Sequence, residues 1–260
     1  MTTEIFVAWE DAASGRQNMD RDLELVRSVA DNALAIAFRF YTWTPWTVSL
    51  GKHQSASVAD SAAIRDRGYD VVHRPTGGRA VFHAQEVTYA CAVRGSSPQN
   101  VYGAIHSLLL HALRPLIPTE PIHTSSPTRL HEHYASAGPL GASCFTAHAR
   151  TEITVEGRKL VGSAQRVIDD VILQHGSILC GPAHLELPEL LLLSAVDRQR
   201  LQQALERSST SLAEVGSPLT HPADVAQQLL TTVTPVNLER HVLGLDGLGL
   251  DGPQYGNPRV

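Results

Sequence analysis

Apolar positions in the first half of the chain alternate between two spacings. From residue 18 to 30, Met19, Leu23, Val26 and Ala30 recur at helical intervals, which predicts an early helix laid against a sheet. Residues 35–41 and 47–50 are short β-branched or aromatic runs parted by Thr42-Trp43-Thr44-Pro45, the pattern of strand, turn, strand. Helical spacing returns over 57–67 through Val58, Ala62 and Ile64, and it ends at Gly68, a residue suited to the step just past a helix terminus. A strand over 69–73, a glycine-bearing loop over 74–79, a mostly buried strand over 87–93 and a helix over 102–113 are expected next.

Periodicity then fails. Residues 115–141 are rich in Pro, Ser, Thr, His and Gly, the composition of a long loop, and loops of that length in compact domains are often functional. Three strands are predicted over 152–155, 160–166 and 171–179, then helices over 186–193, 197–206 and 224–233. Strands and helices come in mixed runs without regular βαβ alternation, so the fold class is α+β, with largely antiparallel sheets flanked by helices, rather than a doubly wound sheet. One domain is expected over 1–240, followed by a flexible glycine-rich tail over 241–260.

Composition narrows the function classes. A hydrophobic fraction of 43% is enough to bury a core, and no apolar run is long enough to span a bilayer. The amino terminus lacks a secretory layout, so a cytoplasmic location is expected. A net charge of -5 without a basic stripe argues against nucleic acid. Three cysteines are too few for a disulfide framework and read as reduced thiols.

Chemistry concentrates in a few places. Lys52 and Lys159 are the only lysines, in a chain that otherwise uses arginine. Lys159 opens an apolar strand, where a charged head is costly unless it is paired or faces a cleft. Cys144 follows a small-residue stretch that would present it at a loop edge. A thiolate is the reactive form of cysteine, and an ammonium nearby favours it. Taken alone, each residue also fits a bland role, as a packing cysteine or a snorkelling lysine. Gly77-Gly78 leaves backbone amides open to an anion, with Arg74 and Arg79 on either side. His83 and His175 are candidates to close a site, although lone histidines near strand ends are commonly structural. His131-Glu132-His133 is a poor zinc pattern and reads as solvated loop. Cys91 and Cys180 lie in apolar strands and read as packing residues. Gly162-Ser163-Ala164 lacks the second glycine of a nucleophile elbow, which argues against a serine hydrolase.

In order along the chain stand Arg39-Phe40-Tyr41-x-Trp43-x-Pro45, Arg74-Pro75-Thr76-Gly77-Gly78-Arg79-Ala80-Val81-x-His83 and Cys144-Phe145. After them come Gly157-Arg158-Lys159-x-Val161-Gly162-Ser163-Ala164-Gln165 and Leu173-Gln174-His175-Gly176-Ser177-Ile178-Leu179. This series resembles the lipoate-protein ligase and octanoyltransferase family over roughly residues 15–190. It is most similar to the cysteine-dependent octanoyltransferases, whose Cys-Phe precedes the Gly-Arg-Lys strand. The resemblance implies the biotin/lipoate protein ligase fold. It implies Cys144 as acyl-thioester nucleophile and Lys159 as the residue that lowers its pKa. It also implies an acyl pocket formed by Arg74, Gly77, Gly78, His83, Gly162, Ser163, Ala164, His175 and Gly176. Here His73-Arg74 replaces the arginine pair that often opens the glycine loop.

The reaction implied is transfer of an octanoyl group from octanoyl-acyl carrier protein to a lysine of a lipoyl domain or of glycine-cleavage H protein. No cofactor or metal is expected, because the donor is already a thioester. Lys159 is also expected to help take the proton from the acceptor amine. The alternatives are an ATP- and magnesium-dependent lipoate ligase, a transferase moving lipoyl or octanoyl groups between lipoyl-carrying proteins, and a non-catalytic binding protein. The region after Gly181 is expected to be too short for the accessory domain of the larger ligases.

Overall fold

The computed structural model describes residues 4–118, 122–124, 143 and 152–244. Strand β1 (Ile5–Trp9) leads into helix α1 (Gly15–Ala30), then β2 (Ile36–Tyr41) and β3 (Thr47–Leu50). Helix α2 (Ser61–Asp66), strands β4 (Asp70–His73), β5 (Val81–His83) and β6 (Glu86–Arg94), and helix α3 (Pro98–Leu113) follow. Strands β7 (Ile122–Thr124), β8 (Ile153–Val155), β9 (Arg158–Ile168) and β10 (Val171–Leu179) complete the sheets. Helices α4 (Ala195–Ser208), α5 (Pro222–Leu230) and α6 (Pro235–Leu238) follow, and a π-helical turn (Glu239–Leu243) closes the described chain.

The strands form a seven-stranded sheet ordered β1-β2-β6-β10-β9-β8-β7 and a three-stranded sheet ordered β4-β3-β5. Only β1 with β2, and β3 with β4, run parallel; the other pairs are antiparallel. This is the expected α+β class. The hairpins have a local cause: Glu156-Gly157 joins β8 to β9 and Asp169-Asp170 joins β9 to β10, and all four residues have positive φ. Two central residues with φ above zero make the turn whose twist matches the flanking strands.

Consecutive residues of a strand face opposite sides of the sheet, and the large sheet buries both. Ile172 and Ile178 of β10 join a core with Phe38, Phe40, Tyr89 and Leu109, covered by α3 and α5. Val171 and Leu173 face the other way, against Met19, Val26 and Val29 of α1. A third cluster joins the small sheet to α4 through Phe82, Leu50, Leu201 and Leu205. Helix α1 starts at Ser14, whose hydroxyl accepts from the Gln17 amide at 3.3 Å while the Gln17 side chain accepts from the Ser14 amide at 3.1 Å.

Several expected boundaries move. The helix predicted over 57–67 splits into a 3-10 turn (Ala56–Val58) and α2, because the Asp60 carboxylate accepts from the Ala62 and Ala63 amides and begins a new helix there. No α-helix forms over 186–193. Residues Pro182–Leu190 wind as 3-10 turns instead, since Pro188 inside the run has no N–H to donate. Strands β1, β5 and β7 had no expectation in the apolar pattern. Most of the predicted 115–141 loop, the His131-Glu132-His133 stretch and nearly all of the predicted tail lie outside the described residues. Among the described residues no helix is long and apolar enough to cross a membrane.

Candidate active site

Lys159 and every residue assigned to the acyl pocket line one cavity of about 390 Å³ between the two sheets and α3, whereas Arg79 does not. Gly162, Ser163, Ala164 and Lys159 come from β9, His175 and Gly176 from β10, His83 from β5, and Arg74, Gly77 and Gly78 from the loop between β4 and β5. Cys144 lies outside the described residues. Ser143, its neighbour in sequence, is buried and forms a parallel bridge with Ala80, just past the glycine loop.

The loop is held from several directions. The Arg74 guanidinium, 5% exposed, donates from Nη2 to the Gly77 carbonyl at 2.9 Å and to the Arg79 carbonyl at 2.7 Å. Its Nη1 donates to the Ser49 carbonyl and hydroxyl at 3.1 Å each. These contacts turn the charge inward, so Arg74 shapes the loop. The Lys52 amide donates to the Thr76 carbonyl at 2.9 Å, and Arg166 donates to the Pro75 carbonyl at 2.9 Å. Gly78 has φ of 93°, and a side chain on Gly51 would collide with the Gly78 carbonyl. The Gly77 Cα faces open space.

A buried charged network ties this loop to α1. His175 Nδ1 lies 2.9 Å from Asp22 Oδ2, and His175 Nε2 lies 2.6 Å from the Thr76 hydroxyl. Burial lowers the His175 pKa, and Asp22 only partly opposes it, so the ring is neutral. The carboxylate holds the proton on Nδ1, and Nε2 therefore accepts from Thr76. The other Asp22 oxygen takes Arg39 Nη2 at 2.7 Å and Nε at 3.1 Å, and Arg39 reaches Glu10 at 2.7 Å. Asp22 and Arg39 are both fully buried.

A second cluster surrounds His83. Its Nδ1 is 2.7 Å from Glu86 and its Nε2 is 2.7 Å from the Ser49 hydroxyl. Thr88 and Ser177 donate to the same Glu86 oxygen at 2.6 and 2.7 Å, and Trp43 stacks on the imidazole with centroids 4.1 Å apart. Opposite lies Lys159, 1% exposed, with its ammonium 2.8 Å from the Glu152 carboxylate. Pairing lets a charge survive such burial. Cys91 and Cys180 sit in the core with burial pushing each thiol up to about 12, which makes them inert at neutral pH.

Asp22, Glu86, Trp43 and Glu152 take part in these networks, and Tyr89 and His106 meet at the Ser163 hydroxyl, 2.7 and 2.8 Å away, but none was singled out as a site residue. Asp22 left a trace in the sequence, as a carboxylate on the buried stripe of α1 between Met19 and Val26. Glu86 stands one turn from His83. His106 and Glu152 left none, because the partners that explain them are distant in sequence. Among the described residues no cluster of three or more His, Cys, Asp or Glu could hold a metal ion.

Two sheets enclosing a cavity against a glycine loop make the fold of the lipoate protein ligases. An archaeal bi-partite lipoate protein ligase from Thermoplasma acidophilum superimposes with a TM-score of 0.64 at 14% identity, covering 93% of this chain and 85% of that one. Lipoate-protein ligase A bound with ATP gives 0.63 at 13%, covering 94% and 86%. At such identities the likeness is one of fold. The sequence goes further: residues 14–234 match the lipoyl protein ligase A/B catalytic domain, and the chain belongs to that family. Octanoyltransferase LipM of Kyrpidia tusciae is 40% identical over 195 residues, spanning 70% of this chain and 68% of its own. The Symbiobacterium thermophilum octanoyltransferase LipM is 34% identical over 241 residues, 86% of each chain.

Proposed function

We propose that this protein is an octanoyltransferase of protein lipoylation. It moves an octanoyl group from octanoyl-acyl carrier protein, through a thioester on Cys144, to a lysine of a lipoyl domain of a 2-oxoacid dehydrogenase or of glycine-cleavage H protein. The observation that carries the reading is the convergence of Lys159, the glycine loop and the β9–β10 residues on one cavity, in a chain 40% identical to an octanoyltransferase.

In the first step the Cys144 thiolate attacks the thioester carbonyl, and the phosphopantetheine thiol leaves. One thioester replaces another, so the exchange is close to energetically neutral. Ser143, the residue before Cys144 in the sequence, is fixed against Ala80 just past the glycine loop. Lys159, steered by Glu152, supplies positive charge for the thiolate. Backbone amides near Gly77-Gly78 or Gly162-Ser163 bind the oxyanion in this reading. In the second step the acceptor amine displaces the thioester and an amide forms. Neither metal nor nucleotide is required, because the donor carries the activation.

Incubation with octanoyl-acyl carrier protein, read by intact mass, is the test. A single octanoyl adduct is expected, absent in Cys144→Ala. Labelling that needs lipoate and ATP and survives Cys144→Ser would replace this reading with a ligase.

A further inference from the structure

Strand β9 outruns the strand beside it. Of its 11 residues only Arg158, Lys159 and Val161 pair with β8, whereas β10 pairs with β9 as far as Ile168. From Gly162 to Ile168 the outer edge of β9 therefore has no strand beside it among the described residues. The turn fixes which groups face that edge. Asp169 and Asp170 form a two-residue loop with positive φ at both positions, so Ile168 and Val171 close the hairpin by exchanging their hydrogen bonds. Counting back by twos, Arg166, Ala164 and Gly162 bond to β10, and the N–H and C=O groups of Ser163, Gln165 and Val167 point outward.

Proteins rarely leave such an edge open. Bare strand edges attract other chains, and they are commonly blunted by proline, lysine, a bulge or a covering segment. The run Gly162-Ser163-Ala164-Gln165-Arg166-Val167-Ile168 holds neither proline nor lysine, keeps an unbroken register with β10, and leaves Val167 50% exposed. Its one charge, Arg166, is turned to the Pro75 carbonyl of the glycine loop. The edge is also continuous with the acyl cavity, which Gly162, Ser163, Ala164 and Gln165 line. A strand laid along it would sit about 4.8 Å from β9 and advance about 3.4 Å per residue, so that its alternate side chains pass the cavity.

The acceptor must bring a lysine ε-amine to a thioester inside this cavity. We propose that the edge of β9 at Ser163, Gln165 and Val167 is where the acceptor protein docks, by adding the extended segment that carries its target lysine to the seven-stranded sheet. Main-chain hydrogen bonds set the depth and direction of the segment, and the lysine side chain enters between β9 and the glycine loop. Docking of this kind takes its affinity from the backbone rather than from a particular sequence. It therefore suits an enzyme whose acceptors, lipoyl domains and glycine-cleavage H protein, need share little beyond a lysine on an exposed strand.

This inference rests on the octanoyltransferase reading for its partner, and its test keeps the two apart. Hydrogen exchange of the free wild type is compared with exchange in saturating unmodified lipoyl domain. The amides of Ser163, Gln165 and Val167 should be unprotected in the free protein and protected when the domain binds. Val167→Pro removes one outward N–H without breaking a bond to β10, a position where a strand tolerates proline. This variant should form the octanoyl adduct and release octanoyl to hydroxylamine, a small acceptor that needs no docking, as the wild type does. Its KM for the lipoyl domain should rise on the order of 10-fold, whereas Val167→Thr keeps the N–H and the wild-type KM. A wild-type KM in Val167→Pro overturns the proposal, and so does exchange at these amides that the domain leaves unchanged. An equal rise in Val167→Thr overturns it by assigning the contact to the side chain. Protection that grows with protein concentration in the absence of the domain overturns it in favour of pairing between copies of this chain. If release to hydroxylamine also slows in Val167→Pro, the cavity is distorted and exchange on the wild type decides alone. Failure of the wild type to form any adduct removes the octanoyltransferase reading, and exchange still reports whether the domain docks on β9.

Discussion

Gln174 and His175 are neighbours on β10, yet they enter networks of opposite character on the two faces of the sheet. On the α1 face His175 joins Asp22, Arg39 and Glu10, a charged system closed at both ends, with each named group tied and the last contact made to the glycine loop. On the α3 face Gln174 joins Gln165, Tyr89 and Ser163, a chain of uncharged groups that reaches the cavity at Ser163, with His106 Nε2 2.8 Å from the same hydroxyl. Charge serves where the structure must hold still, since breaking a buried ion pair strands its partner. On the α3 face the Gln165, Gln174, Tyr89 and Ser163 groups are uncharged, so removing one strands a dipole rather than a charge.

The largest expected difference lies in what each face loses when one member is removed. Asp22→Ala leaves Arg39 charged and fully buried with its main partner gone, and should cost about 3–5 kcal/mol in urea unfolding. Tyr89→Phe strands the Gln174 amide but no charge, and should cost about 1–2 kcal/mol. Equal losses in the two variants would erase the distinction between the faces.

Next in size is a steric contrast. A Cβ on Gly176 would lie 2.5 Å from Ser163 Oγ, 2.6 Å from the Gly162 carbonyl and 2.8 Å from the Tyr89 ring. Gly176→Ala should therefore destabilise by about 1–3 kcal/mol and displace Ser163. Gly77→Ala meets open space and should leave the unfolding midpoint within about 0.5 kcal/mol of wild type. A Gly176→Ala protein as stable as wild type would show that β9 and β10 can separate there without cost.

The sequence made some of this arrangement visible and hid the rest for physical reasons. Helix α1, strands β2, β3 and β10, and the α+β class follow from local spacing, which is fixed by backbone geometry. The motif series located the cavity because each of its segments among the described residues carries residues that line the same space. What stayed hidden depends on pairing across the sheet. Tyr89 meets Ser163 because β6 and β9 flank β10, and His106 reaches the same hydroxyl from α3. Glu152 pairs with Lys159, which reaches it across neighbouring strand segments. The helix expected over 186–193 failed because apolar spacing is blind to a proline inside the run.

The neutral state of His175 gives the charged face a pH signature. Burial lowers the pKa of His175, and also of His184, below the ordinary histidine value of 6.5. Below 6.5 the unfolded chain binds protons that the folded protein refuses, so stability is full above that pH and falls as pH drops toward the folded pKa values. Each imidazole contributes a slope of at most about 1.4 kcal/mol per pH unit in this window. Urea midpoints measured between pH 7.5 and 5.5 should fall, and His184→Gln should flatten the decline by removing one imidazole while leaving the Asp22 network whole. A slope unchanged in His184→Gln would assign the whole effect to the α1 face.

The smallest effect concerns the thiols, and it probes how dry the α3 face is. Cys91 lies in the core beside Tyr89, and Cys180 closes β10; burial pushes both pKa values up to about 12. At pH 8 each would be thiolate in only about one molecule in 10⁴, and the sulfur is shut off from reagent as well. Iodoacetamide applied to the folded protein should leave Cys91 and Cys180 unmodified in peptide maps, with any labelling confined to Cys144, whereas all three thiols should react in denaturant. Octanoylation beforehand should protect Cys144 alone. Labelling of Cys91 in the folded protein would mean that water reaches the space behind Tyr89. The chain from Gln165 to Ser163 could not then keep a single orientation, because each member would have water as an alternative partner.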